Sequence, residues 1–562
     1  MWDPVENTSF VPWVGVVAFL HGIMVQSSRQ KWFFTNAMLA GLPFLLFCYG
    51  TFLTRSGFLG DTSVHSFAEM DSSALWILIG LVTLGAIGFF TLWGVQTVAM
   101  KSRLPQSKDM HAFPVNREFA IGLGVWLLVG FGIVTAIGMS VPFFQNLAGQ
   151  KPKVVEEQLY NTVLSFFFLP LTVAMAVGPF LTWRGAKVRE VIGRLVNVFS
   201  VTLMLVGFCL IWVNFAGKRF FFIDMPGVPV DPTATTMLLT KFPVPRVGWT
   251  MILTFFCLFG VVGAVWKAAE TGKRSFTTFA GMLTHVGVGL AILGLIFSRG
   301  LEQKVDAFVI SGSAPVEALG YKLTSVPTST NFVDPNNKVK IKAVGPDGEF
   351  TMEPGLYFRG MDESGQPMPM VWPAIHGRGL YDFYLVVHNL TMDASGPTQM
   401  AKGDQRLLKE EKMLVTYNGL KTSGPLGQEG ATFTAQVSVD TPEGHFDVEP
   451  TLKMGENGME NEPARVGDKF RVSLQAIDAK DKSATIQVHY NEPAYIAEAF
   501  YKPLTILVWL GVGIMTLGGG LAAWGRRPRA VHRPEPIVSD AEPENPPKSP
   551  ENRHAPEPAP QS

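Results

Sequence analysis

Nine runs of about twenty mostly apolar residues constrain this chain more than any other feature. They lie near 8–27, 33–53, 75–99, 119–141, 162–183, 197–216, 249–267, 277–298 and 503–524. A helix of that length crosses the hydrocarbon core of a bilayer, so the runs predict nine transmembrane helices with the lipid bilayer as their solvent. Composition agrees. Of 562 residues, 47% are hydrophobic, 12% aromatic and only 16% charged, which excludes a uniformly soluble enzyme and a disordered or collagen-like chain. Lys and Arg balance Asp and Glu at 46 each, so charge gives no reason to expect nucleic acid as a partner. Cys48, Cys209 and Cys257 each sit in an apolar run without a Cys-x-x-Cys spacing, and read as small buried hydrophobes.

Orientation follows from lysine and arginine in the short loops. The loops after spans 1, 3, 5 and 7, and the flank after span 9, are basic: Arg29 and Lys31, Lys101 and Arg103, Arg184 to Arg194, Lys267 to Arg274, then Arg526, Arg527 and Arg529. Those loops are expected in the cytoplasm, with the N-terminus outside. Met1 is followed at once by Trp2-Asp3-Pro4, without the basic start of a cleavable signal peptide.

The segment 299–502 is different in kind. Alternating runs such as Val339-Lys340-Ile341-Lys342, punctuated by Gly, Pro, Asn and Asp at about ten-residue spacing, predict an all-β sandwich or barrel. The expected fold class is therefore an α-helical polytopic membrane protein of about nine transmembrane helices, with an all-β extracytoplasmic domain inserted before the last helix. Its expected divisions are a membrane domain of eight spans over 1–298, a β-rich domain over 299–502, a final span with a basic cytoplasmic flank over 503–529, and a disordered Pro- and Glu-rich cytoplasmic tail over 530–562.

Few residues are left to carry chemistry. Of ten histidines, His532 and His554 lie in the tail and His111 in a basic loop; His376, His388, His445 and His489 lie in the β region, where a structural or surface role suffices. His21 and His285 lie inside spans 1 and 8, where an ionisable side chain is costly and marks a functional site by default. Counted from the cytoplasmic ends of the expected spans, both sit roughly 9–12 Å deep at 1.5 Å per residue. Two neutral imidazoles at one depth suit the axial positions of a haem; two unrelated histidines bonded to neighbouring helices would show the same spacing. His65 lies in the external loop Thr54-Arg55-Ser56-Gly57-Phe58-Leu59-Gly60-Asp61-Thr62-Ser63-Val64-His65-Ser66-Phe67, whose Arg55 is suited to pair with a propionate or to snorkel to the membrane surface. The opening run, Trp2-Asp3-Pro4-Val5-Glu6-Asn7-Thr8-Ser9-Phe10-Val11-Pro12-Trp13, starts a helix with Asp3 as N-cap, Pro4 at N1 and Glu6 at N3. Its tryptophans fit an interfacial belt and a platform for a flat apolar ligand equally well.

The run Trp2–Trp13 resembles the second half of the tryptophan-rich WWD signature of haem-handling membrane proteins, which reads Trp-Gly-x-Trp-Trp-x-Trp-Asp-Pro-x-Glu-Asn. The loop matches a Thr-Arg-Ser-Gly…Ser-Val-His-x-Phe motif, and Tyr501-Lys502-Pro503…Trp509…Gly511…Met515…Gly518-Gly519 matches a last span. Together they are similar to the CcmF/CycK/NrfE family of cytochrome c maturation haem lyase subunits, over nearly all the chain except its tail. The large external domain before the last span distinguishes that family from CcmC, another carrier of the signature.

The resemblance implies a site. His21 and His285 would be the two axial ligands of a resident haem b, and His65 a ligand to the haem being delivered. Trp2, Asp3, Pro4, Glu6, Asn7 and Trp13 would form the haem platform, with Arg55 as a propionate contact. It also implies a function: a haem lyase of system I cytochrome c biogenesis in the bacterial inner membrane, with the β domain in the periplasm. Such a lyase receives haem from the chaperone CcmE, works beside a CcmH-type thiol oxidoreductase, draws electrons from quinol, and joins haem vinyls to the Cys-x-x-Cys-His thiols of apocytochrome c. Family members carry further spans and one more external histidine ahead of the WWD signature. An upstream segment supplying that ligand is therefore expected, as a second polypeptide or as part of a longer chain. A membrane transporter of haem or another amphipathic anion is the competing function, and it would place paired polar residues and broken helices along a path through the bilayer.

Overall fold

The computed structural model describes residues 4–59, 71–103, 115–155, 157–185, 187–211, 235–239, 242–272, 274–326, 331–361, 367–424, 430–455, 458–478 and 481–527. Among these, nine helices are long and apolar enough to cross a membrane. They are α1 (Pro4–Arg29), α2 (Phe33–Arg55), α3 (Ser72–Met100), α4 (Arg117–Leu147), α5 (Glu157–Val177), α6 (Val188–Ile211), α7 (Arg246–Thr271), α8 (Phe276–Gly300) and α9 (Ile506–Arg526). In lipid every backbone group must be satisfied within the segment, which makes a helix the only open choice for such runs. Polar side chains mark several starts: Asn116 accepts from the Phe119 N–H at 2.9 Å, and Ser275 from Thr278 at 3.3 Å. Prolines 12, 43, 142 and 170 lie inside helices, as membrane helices tolerate.

The sixth span differs from expectation. Its helix starts at Val188, nine residues before the apolar run at 197, because Arg189, Glu190 and Arg194 are strong helix formers that carry the same helix past the hydrocarbon edge. The last span starts at Ile506, since strand pairing continues through Pro503. The tail 530–562 lies outside the described residues.

Packing runs α2–α1–α4–α5–α7–α8–α9, with α3 laid on α2 and α6 on α7. The α8–α9 crossing is backbone against backbone. A Cβ on Gly287 would stand 2.2 Å from the Met515 nitrogen, and one on Gly511 would stand 2.2 Å from the Ala291 nitrogen. Gly294 and Gly518 repeat this one heptad along each helix. Small residues at such spacing are how membrane helices gain van der Waals contact without a hydrophobic drive. At the other end of the bundle, Arg29 in α1 is 3% exposed and meets Glu118 of α4 at 2.7 Å. A buried guanidinium requires such a partner.

The β region leaves α8 and returns to α9. Its spine is the strand Ser483–Pro503, which pairs with Gln303–Ile310, Tyr381–Asp393, Thr398–Met400 and Phe470–Asp478. Period-two alternation sends Tyr495, Ala497, Ala499 and Tyr501 into one core with Phe383, Leu385, Tyr321 and Ile341. The other half of the strand, Ala484, Ile486 and Val488, enters a second core with Tyr417, Val415, Phe433 and Leu474. One long strand thus carries two sandwiches. Near the bundle, Lys502 meets Glu302 at 2.9 Å and the Leu504 N–H donates to Leu380 at 2.7 Å, which clamps the strand where it becomes α9.

Candidate functional site

Helix α1 places His21 eight residues before its end at Arg29; α8 places His285 nine residues after its start at Phe276. Both are roughly 12–14 Å along their axes from the same end of the bundle. The structure brings them together edge to face: the ring centroids are 5.9 Å apart and the ring planes stand at 85°. Yet α1 packs along α2 and α4, and α8 along α7 and α9, so the imidazoles meet where two halves of the bundle face one another.

Each ring is oriented by its own helix. His21 Nδ1 lies 2.8 Å from the Val17 carbonyl, and His285 Nδ1 lies 2.7 Å from the Gly281 carbonyl. A carbonyl only accepts, so Nδ1 carries the proton in both rings and the Nε2 lone pair is left for a metal. A hydrogen bond from the other ring nitrogen to a backbone carbonyl is the usual way a ligating imidazole is fixed. A metal bound to both through bonds of about 2.0–2.1 Å would set the ring centres roughly 6 Å apart, as they are here. Among the described residues no group of three or more His, Cys, Asp or Glu is placed to hold a bare metal ion. Two imidazoles are too few for a protein-only zinc site, which needs three or four ligands. They suffice for haem, whose porphyrin supplies the rest of the coordination. The residues fit a haem.

Toward the other end of the bundle, the two matched motifs converge. Val5 and Val11 of α1 pack in one apolar cluster with Phe52, Leu53, Phe58 and Leu59, the first part of the Thr54–Phe67 loop, and with Met139 of α4. Phe58 meets Phe143 at 5.0 Å, edge to face. Thr8 lies so close to Gly50 that a Cβ there would stand 2.7 Å from it. Trp13 is 42% exposed and stacked on Phe10 at 5.9 Å, while Asn7 is 6% exposed with its amide nitrogen unpaired. Glu6 is exposed in the first turn of α1, and Arg55 is exposed in the last turn of α2. His65, Trp2 and Asp3 lie outside the described residues, and Pro4 is described only as the first residue of α1.

Sequence reasoning missed the residues that orient the two imidazoles. Val17 and Gly281 act through backbone carbonyls, which any residue possesses, so no side-chain signal marks them. Gly287, Gly294, Gly511 and Gly518 do leave a signal, the seven-residue spacing on two apolar helices.

The β-region histidines are occupied elsewhere. His376 is stacked on Phe350 at 3.6 Å, and His388 meets Glu498 at 2.8 Å. His445 sits between Asp440 at 2.6 Å and Asp447 at 3.3 Å. The Asp440 hydrogen bond holds His445 above the ordinary imidazole pKa, so that contact is fully present below the ordinary value and fades as pH rises through the raised one. His489 links Asp393 and Ser473, each at 2.7 Å. The distances match a hydrolytic triad, but Ser473 is 1% exposed and its Oγ also accepts from Gln475, so no substrate reaches it. Substituting His376, His388, His445 and His489 together is expected to leave haem content, read by pyridine haemochrome, unchanged. A loss of haem would place a ligand in the β region.

No protein-family model matches the chain. It is 26% identical over 323 residues to the cytochrome c-type biogenesis protein CcmF of Escherichia coli K12, covering 58% of this chain and 44% of that protein. It is 29% identical over 304 residues to CycK of Rhizobium meliloti, covering 54% and 41%. It is 26% identical over 407 residues to CcmF of Haemophilus influenzae, covering 70% and 56%. The chain thus spans about half the length of the curated relatives it matches. A solved structure, "Cytochrome c Heme Lyase CcmF", aligns over 93% of this chain and 60% of its own at a TM-score of 0.40 and 16% identity.

Proposed function

We propose, starting from the chain's kinship with the CcmF, CycK and NrfE cytochrome c-type biogenesis proteins, that it is a haem-handling subunit of cytochrome c maturation. The observation that supports this most is the meeting of His21 and His285, both with Nδ1 tied to a helix carbonyl and Nε2 left free of that bond. These two residues hold haem b within the bilayer. When bound, that group supplies a one-electron centre. Val17 and Gly281 keep the Nδ1 protons in place, the α8–α9 crossing fixes where His285 points, and the Arg29–Glu118 pair fixes α1 against α4.

The substrate is a second haem, delivered by CcmE to the outer end of α1. Trp2, Asp3, Pro4, Glu6, Asn7 and Trp13 form its shelf, Arg55 pairs with a propionate, and His65 ligates its iron. An apocytochrome thiol then adds across a haem vinyl: sulfur bonds to one vinyl carbon, the thiol proton goes to the other, and no electron is gained or lost overall. The chain's contribution is to hold two partners in reacting geometry, which can be worth several kcal/mol. Apocytochrome c, a CcmH-type oxidoreductase and quinol are its partners in a bacterial inner membrane, with the β domain in the periplasm.

The experiment is haem attachment to a Cys-x-x-Cys-His acceptor in cells lacking their own lyase. The chain is co-expressed with the other maturation components and with the remaining length of its relatives as a second polypeptide. His65→Ala is expected to lower attachment at least tenfold while leaving the His21–His285 haem in place. Undiminished attachment in that variant would remove His65 from the site. A purified chain without any Soret band would favour the transporter reading.

A further inference from the structure

Helix α9 has two glycine faces, and only one is used in packing. Gly511 and Gly518 are pressed on α8, whereas a Cβ on Gly513 or Gly520 would meet nothing within 4 Å. The second face is part of the lining of an open groove of about 850 Å³, with Thr516, Leu517, Phe276 and Trp524 around it. A Cβ on Gly525 would stand 2.8 Å from Thr277 and 3.0 Å from Phe276, so the last turn of α9 lies against the first turn of α8. This brings Arg526 and Arg527 beside the segment that carries Arg274, and all three are exposed. The Arg527 guanidinium lies 4.1 Å from the centre of the Trp524 ring.

The charge at that end is one-sided. Neither α8 nor α9 contains an Asp or Glu. Glu270, at the end of α7, is held by Lys267 at 3.1 Å. The groove therefore presents an apolar trough at hydrocarbon depth that ends in three arginines and an interfacial tryptophan, on the side the loop charges assign to the cytoplasm.

We infer that this groove is a specific binding site for an anionic phospholipid of that leaflet. An acyl chain lies along the Gly513–Gly520 floor, where the absent side chains leave room for it. The headgroup phosphate is taken by Arg274, Arg526 and Arg527, whose planar donors match phosphate oxygens better than lysines would. Trp524 sits at headgroup level, braced by Arg527. A basic pocket between helices at the cytoplasmic face is a recurring form of lipid recognition. A zwitterionic lipid with the same chains fills the trough and offers the same phosphate, but its choline cation is repelled by the three arginines.

The test is native mass spectrometry of the delipidated full chain, titrated with phosphatidylglycerol or with phosphatidylcholine of identical acyl chains. Phosphatidylglycerol is expected to bind at one saturable site at least tenfold more tightly than phosphatidylcholine. The triple variant Arg274→Gln, Arg526→Gln, Arg527→Gln should lose that preference. The double variant Gly513→Leu, Gly520→Leu should lose the saturable site altogether. The added Cβ atoms meet nothing within 4 Å and leucine raises helix propensity, so the variant should fold with an unchanged haem spectrum. Equal binding of the two lipids by the unaltered chain would overturn the proposal. So would a preference for phosphatidylglycerol that survives both sets of substitutions.

Discussion

Replacing His285 by alanine is expected to strip the bound haem or leave it high-spin, and His21→Ala should do the same. The effect is large because, on the proposed assignment, each residue would supply one of two bonds to the iron. Loss of a mere supporting group around a bound metal already lowers affinity about 10–100-fold, and a ligand carries more than its support. The ring centres lie 5.9 Å apart, so a metal held between them would need both. Low-spin character requires two strong axial ligands, and either variant leaves one. The measurement is the absorption spectrum of the purified variants. Adding free imidazole should restore the low-spin bands, since the space vacated by the ring accepts the same group. A low-spin spectrum unchanged in both variants would refute the ligand assignment.

The second large effect lies in the scaffold. Gly287→Leu is expected to prevent α9 from docking on α8, so that the chain fails to accumulate or is purified without haem. A Cβ at 287 would stand 2.2 Å from the Met515 nitrogen, 2.6 Å from its Cα and 2.7 Å from the Gly511 oxygen. All three are backbone atoms, which cannot rotate aside as a flexible side chain can. Overpacking of an ordinary core costs about 1–3 kcal/mol after side chains yield; here the helices themselves must part. The loss is comparable with the whole margin of about 5–15 kcal/mol by which proteins hold their fold. Gly513→Leu is the control on the same helix, because its Cβ meets nothing within 4 Å. Normal accumulation of both variants, measured in membranes by fluorescence-detected chromatography, would show that the crossing is looser than its backbone distances imply.

How far the fold was legible depended on which physical signal carried each part. Twenty apolar residues have essentially one structure available in a bilayer, so the helices could be read directly. Their ends were less legible where helix formers continued past the apolar run, as Val188–Arg194 does. Alternation announced strands over 299–502, but pairing is set by contacts far apart in sequence. Nothing local says that Ser483–Pro503 would join four other strands and serve two cores.

The candidate site divides in the same way. The equal depth of His21 and His285 is a property of two separate runs and could be counted. That the two rings meet depends on how each helix is rotated. For α8 that rotation is fixed by Gly287 against Gly511 and Met515 and by Gly294 against Val508, and for α1 by Arg29 against Glu118. The meeting of the Trp2–Trp13 run with the Thr54–Phe67 loop is visible only in the packing of Val5, Phe58 and Leu59.

The most direct test is the low-temperature electron paramagnetic resonance spectrum of the full chain, purified in the ferric state. Two imidazoles on one iron give a low-spin signal, and rings standing near 85° to each other give a strongly anisotropic one. That signal is the expected result, and it should disappear in His21→Ala and in His285→Ala. A high-spin signal from the unaltered chain, or a low-spin one that survives both substitutions, would contradict the account.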